Sequence, residues 1–219
     1  TVLNLLWYNQ EEQRQSQMRA EAIEKQAKDA ELFKLRQQLQ PHFLFNSLNS
    51  ISALTLSRPE EARHMIQQLS DFLRRSLKKE NQEWVSAAEE LQLLQLYLDI
   101  EKVRFSHRLN TEVQLEEGAS AMQMPPLLLQ PIVENAIKFG LYNTTESITI
   151  TIRVTSEGGM LQFRIVNPFD PGSPPQQGTG FGLSSIRRRL YLLFARNDLL
   201  ETSAENNEFT STLKIPQKS

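Results

Sequence analysis

The sequence predicts an α+β protein, a helical N-terminal part followed by a mixed α/β unit with helices against one face of a sheet. Three observations carry this. Up to Phe105 apolar residues recur at helical spacing. From Thr111 onward short runs alternate (TEVQLE, ITITIRV, MLQFRIV), the pattern of half-buried strands. Among those runs stand two more helix-like segments, MPPLLLQPIVENAIKFG and GFGLSSIRRRLYLLF.

Residues 1–10 are apolar and carry Trp7 and Tyr8, residue types favoured at a membrane interface. They read as the end of a truncated membrane helix, and no basic leader or cleavage site makes them a signal peptide. Residues 11–40 are dense in Glu, Gln, Lys, Arg and Ala, all good helix formers. Their apolar stripe (Ile23, Ala27, Ala30, Leu32, Leu35, Leu39) is thin, which suits two helices pairing as a coiled coil. Pro41 predicts a kink.

Beyond it, Leu44, Leu48, Ile51 and Leu54 line one side of a helix, with Phe43 and Phe45 expected in the core. Ser57, Pro59 and Glu60 read as a capped restart. Ala62, Met65, Ile66, Leu69, Phe72, Leu73 and Leu77 then recur at helical spacing. These two segments predict a helical hairpin, and two chains pairing through it make a four-helix bundle. A third helix opens at Ser86, with Glu89 three residues on, and runs through LQLLQLYLDIEKVRF. Pro125 and Pro126 suit the start of the next helix. NPFDPGSPPQQGTG is a loop, and LLETSA and FTSTLKI are closing strands around the polar turn from Glu205 to Glu208.

Composition narrows the function classes. Of 219 residues 39% are hydrophobic and 23% charged, enough for a sizeable core. The 24 basic and 26 acidic residues nearly cancel, so direct nucleic-acid binding has no electrostatic footprint. The absence of cysteine excludes thiol catalysis and thiolate metal sites. His42, His64 and His107 are too dispersed for a zinc motif.

Three segments carry candidate chemistry. In PHFLFN, His42 lies where the long helix meets the hairpin, and Asn46, one turn on, is placed to orient it or a water. In PIVENAIKFG, Glu134 and Asn135 interrupt an apolar helix and offer oxygens, the ligands Mg²⁺ prefers when it arrives with phosphates. Lys138 follows on much the same face, able to meet a phosphate or Glu134. In GTGFGLSSIRRRL, Gly178, Gly180 and Gly182 lead into a helix whose free amides suit a phosphate. The pattern matches neither the Walker loop nor the dinucleotide fingerprint.

Together QLQPHFLFNSLNSI, PPLLLQPIVENAIKFG and GTGFGLSSIRRRLYLLF resemble the signature segments of the LytS/YehU-like sensor histidine kinases. The resemblance covers Leu32 to Pro216. It implies a histidine-containing dimerisation region joined to a GHKL-type (Bergerat) α/β-sandwich that binds ATP and Mg²⁺. The expected layout is a membrane-helix end at 1–10, a signalling coiled coil at 11–40, the dimerisation region at 41–82 and the catalytic domain at 83–219.

The resemblance makes His42 the phosphoacceptor and Asn135 the Mg²⁺ ligand. It puts Glu134 beside them to polarise the acceptor or position water, and Lys138 near the phosphates. Gly178, Gly180 and Gly182 become the glycine box under a short lid. It further implies a homodimer and transfer to an aspartate of a response regulator, often of LytTR type. The chain is then the cytoplasmic portion of a bacterial inner- or plasma-membrane protein, anchored through its N-terminal segment.

Two positions depart from the pattern. Phe139 stands where a His usually follows the lysine, and Asn167 ends the core strand where Asp-x-Gly usually receives the adenine amino group. Asn167 is the preferred adenine contact because it directly ends the strand; Asp170, three residues late, reaches back only through a bulge. An amide gives up charge assistance of about 1 kcal/mol. These departures keep a nucleotide-binding pseudokinase scaffold and a purely hydrolytic ATPase as rival readings. The residue after the histidine is Phe43, whereas many other histidine kinases carry an acid there that orients the ring.

Overall fold

The computed structural model describes residues 41–80, 82–141, 144–170 and 181–217, and some positions between 13 and 31. The chain divides into two compact units, Thr1–Gln38 and Leu39–Ser219. In the first, every described residue is helical. Residues 1–10 lie outside the described residues, as does much of the predicted coiled coil.

The second unit begins with helices α1 (Pro41–Ser57) and α2 (Pro59–Glu80). The Phe43 ring meets that of Phe72 at 5.1 Å, so the two helices run back along one another as the predicted hairpin. The restart differs in detail. Ser57 is the last residue of α1, and its hydroxyl donates back to the Ala53 carbonyl instead of capping α2. Arg58 makes the break, and Pro59 takes the first helical position, where its missing N–H costs nothing.

The apolar stripes also divide. Phe43, Ile51, Leu54, Ala62, Met65, Leu69 and Phe72 are buried, but Phe45 is 67% exposed, and Leu48, Leu56, Ile66 and Leu77 also face outward. The hairpin therefore has two apolar faces. One of them packs on α3 (Ala87–Phe105), where Tyr97 meets both Phe43 and Phe72. Helix α3 opens on the predicted capping box: the Ser86 hydroxyl accepts from the Glu89 N–H, and the Glu89 carboxylate accepts from the Ser86 N–H. The Ser86 N–H and the Ser86 hydroxyl, both donating to the Glu89 carboxylate, hold that carboxyl below its ordinary range.

The mixed unit is a five-stranded sheet in the order β2 (Leu109–Leu115), β4 (Ile148–Glu157), β5 (Met160–Pro168), β7 (Glu208–Pro216), β6 (Leu200–Glu205). Only β2 and β4 run parallel. A small antiparallel pair, β1 (Val85–Ser86) with β3 (Gln123–Met124), ties the start of α3 to the chain ahead of the next helix. It is too short to register as an alternation. Ile148, Ile150, Ile152 and Val154 of β4 and Leu161, Phe163 and Ile165 of β5 fill the core beneath α3, α4 (Leu129–Leu141) and α5 (Phe181–Phe194). Helix α4 starts four residues later than the proline pair suggests.

Both hairpins use residues suited to φ > 0: Gly158 and Gly159 between β4 and β5, Asn206 and Asn207 between β6 and β7. Positive φ at both central residues is what a type I′ turn requires.

Candidate functional site

Helix α4 carries the central candidates, and its position is fixed by groups that the sequence does not flag. Leu127 is held at φ 59°, and the N–H groups of Leu127, Leu128 and Leu129 all donate to the buried carboxylate of Glu90 at 3.0–3.3 Å. An acid thus satisfies the free amides at the positive end of α4. From the other side Arg189, 1% exposed, donates to the Leu127 carbonyl at 3.3 Å. Of the arginine triplet, Arg187 and Arg188 are exposed, Arg187 reaching Thr202 and Arg188 lying over the Tyr191 ring.

The C-terminal end of α4 comes close to β5. A Cβ on Gly140 would stand 2.6 Å from Ile148 Cδ1 and 3.9 Å from Asn167, so a side chain would fill the gap between helix and strand. Asn167 is 1% exposed and continues the inward alternation of Leu161, Phe163 and Ile165. Its amide nitrogen donates to the Pro168 carbonyl at 2.8 Å, which leaves Oδ1 as the accepting atom. Pairing with β7 runs without a bulge from Met160 to Pro168. Asp170 lies beyond the strand and is exposed.

The opposite side of α4 opens on a cavity of about 790 Å³. Glu134, Ile137, Lys138 and Leu141 form one wall; Tyr97, Glu101, Arg104 and Phe105 of α3 form another, and Phe43 closes it from α1. Lys138 Nζ also lies 5.6 Å from the centre of the Phe139 ring, a cation–π contact at the position that departs from the family pattern.

Both Glu101 oxygens accept from Arg104 Nη1, at 3.2 and 3.1 Å. Even so, burial pushes the Glu101 carboxyl up to about 7, with Arg104 opposing the rise and the Glu134 charge adding to it. Tyr97 is pushed well above its usual value, first by burial and then by the Glu101 and Glu134 charges.

The structure therefore brings Glu134 and Lys138 to the cavity beneath α1, while Gly140 and Asn167 meet on the sheet side. Asn135 is half-buried and does not line the cavity. Asn46 is half-buried on α1, one turn after His42. The His42 backbone is helical, and its side chain lies outside the described residues, as do Gly178 and Gly180. Gly182 stands in the first turn of α5, where a Cβ would sit 3.7 Å from the Pro131 carbonyl. Sequence reading missed Glu90, Glu101, Arg104 and Gly140. The two acids had a signal, for they fall on the stripe that buries Leu94 and Tyr97. Chemically, the two sides of α4 offer a buried amide acceptor on one and a cavity with cations and acids on the other.

Comparison with known proteins gives the class first. The family profile described as "Histidine kinase" matches residues 30–109. The chain is 35% identical over 188 residues to the sensor histidine kinase BtsS of Escherichia coli K12, covering 85% of this chain and 33% of that protein. It is 32% identical over 215 residues to the sensor protein LytS of Bacillus cereus, covering 91% of this chain and 36% of that one. Among solved structures, the Acinetobacter baumannii histidine kinase AdeS superposes with a TM-score of 0.47 at 13% identity, over 75% of this chain and 82% of that one. The chain belongs to the sensor histidine kinase family related to LytS and BtsS. It spans about a third of the length of these curated relatives. Membership implies a catalytic domain of GHKL type. Among the described residues no helix is long and apolar enough to cross a membrane.

Proposed function

We propose that this chain is the catalytic portion of a sensor histidine kinase that phosphorylates His42 from Mg²⁺-ATP and passes the phosphoryl group to a response-regulator aspartate. The observation that carries the reading is the cavity between α1, which bears His42, and the Glu134–Lys138 side of α4. Phosphoryl transfer depends on alignment and on stabilising charge, and this arrangement sets a cation and an acid beside the nucleophile's helix.

The residues fit the nucleotide. The gap that a Cβ on Gly140 would fill admits a flat group against Asn167. Asn167, the buried acceptor at the end of β5, supports the adenine role better than exposed Asp170 with its unbulged strand. Among the described residues no three His, Cys, Asp or Glu side chains gather as a metal cage. Asn135 would contribute one amide oxygen to a Mg²⁺ arriving with the phosphates, where the ion would supply charge neutralisation for the transferring group. Lys138 steadies the phosphates, Glu134 polarises the acceptor, and Asn46 orients His42. Gly178, Gly180 and Gly182 supply backbone amides.

The exposed apolar face of the hairpin supports a homodimer. The regulator is of LytTR type, nucleic acid is not a direct partner, and the chain is the cytoplasmic side of a bacterial membrane sensor.

Incubation with γ-labelled ATP tests this reading. Wild type is expected to gain acid-labile label that His42→Gln loses. Nucleotide binding with neither label nor phosphate release would point to a scaffold. Phosphate release unchanged by the substitution would point to a hydrolase.

A further inference from the structure

We infer that Glu101 accepts the ring proton of His42 during phosphorylation, a task that Phe43, the residue directly after the histidine, does not serve. The inference rests on the kinase reading above.

Phe43 follows His42 and turns into the protein, its ring 4.9 Å from that of Tyr97 on α3. One helical turn beyond Tyr97, on the same face, stands Glu101. Phe43 and Glu101 line the same cavity. Two acids line it, and they differ in setting. Glu134 adjoins Asn135, the proposed Mg²⁺ ligand. Glu101 stands on a separate helix, 2% exposed, with its carboxylate gripped by Arg104.

The charged and titratable groups around it are Tyr97 and Arg104 on its own helix, Arg108 just beyond, and Glu134 and Lys138 across the cavity on α4. Such a setting leaves the carboxyl near neutrality, at about 7, where a base matches the proton it must take. Arg104 opposes that rise and so favours the ionised form of the base.

The step balances. A lone pair on one ring nitrogen of neutral His42 attacks the γ-phosphorus. The bond from phosphorus to the β–γ bridging oxygen breaks, and ADP leaves with the electron pair. The proton on the other ring nitrogen passes to the Glu101 carboxylate, leaving a neutral phosphoimidazole and a protonated Glu101.

Initial labelling rates across pH 5.5–9 at saturating ATP test this, alongside affinity for a non-hydrolysable ATP analogue. Glu101→Gln is expected to slow labelling roughly 100-fold at pH 8, the scale of general-base catalysis, with analogue affinity unchanged. Glu101→Asp should recover part of the rate. Arg104→Gln is expected to move the acid limb of the profile to higher pH, because the carboxylate loses the cation that favours its ionised form. A merely structural pair would lower the rate without moving the limb. Wild-type rate and profile in Glu101→Gln would overturn the inference, and if that variant does not fold, an unmoved limb in Arg104→Gln would do the same. Absence of His42 label in wild type that binds the analogue would sink the kinase reading itself, a separate failure.

Discussion

Glu101 sits where an ionised acid is disfavoured, and that has a consequence for stability. Its carboxyl is raised from 4.5 to about 7 on folding, chiefly by burial. A raised acid binds its proton more tightly in the folded state, so its favourable contribution is complete below pH 4.5 and fades as pH rises through 7. A shift of this size corresponds to about 3 kcal/mol. Denaturant melts of wild type should show that decrement between pH 4.5 and pH 8, and Glu101→Gln should lack it. An equal decrement in both proteins would assign the pH dependence to other groups. Glu101 also shows where sequence reading stops. The spacing of Leu94, Tyr97 and Glu101 marks one face of a helix, yet periodicity does not say whether that face meets solvent, a partner or a cavity. Glu134 and Lys138, which do line the cavity, stand out in the sequence because the helix around them is apolar. Glu101 lies in YLDIEKVRF, where charge is common and a buried acid looks like any other.

At the scale of elements, the hairpin was legible as two helices but not as two faces. Seven apolar positions on α2 recur at helical spacing, and the pattern alone assigns them to one core. The structure splits them, with Ala62, Met65, Leu69 and Phe72 turned to α1 and α3, and Ile66 and Leu77 outward beyond half exposure. On α1, Phe45, Leu48 and Leu56 (97% exposed) continue the outward face. Exposed apolar stripes on adjoining helices are the signature of an interface, as the proposed four-helix bundle with a second copy requires. Leu48→Glu combined with Ile66→Glu should shift the sedimentation of the protein from dimer to monomer. The unfolding free energy of the isolated monomer should change by only about 0.5 kcal/mol, since neither side chain is buried. A dimer that survives both charges would place the interface elsewhere. The strands were legible for a simpler reason: ITITIRV and MLQFRIV face a core on one side only, so alternation records their burial directly. The pair β1–β3 left no such record, its two residues per strand being set by α3 and the chain that returns to it.

Across the whole second unit, one polar chain links the hairpin to helices α4 and α5. Lys79, near the end of α2, donates to the Glu89 carbonyl and stands 3.7 Å from the Glu90 carboxylate. Glu90 holds the first amides of α4, and Arg189 of α5 holds the Leu127 carbonyl. Three helices therefore meet at one carboxylate, and α5 joins them through the Leu127 carbonyl. The two ends of this chain do not carry equal weight. Removing the Glu90 carboxylate strands three backbone N–H groups and an ammonium in the interior, and breaking such a buried charged site costs about 3–5 kcal/mol. Replacing Lys79 leaves Glu90 with its three amide donors, and the lysine pays a burial penalty that already lowers its pKa. Its loss to an apolar side chain of similar length should therefore cost only about 1 kcal/mol. Glu90→Ala is expected to melt well below Lys79→Met in parallel thermal scans and to lose nucleotide affinity with it, because α4 carries Asn135 and Lys138. Lys79→Met should keep that affinity. The reverse order would mean that the hairpin contact, and not the capped start of α4, holds the nucleotide site in place.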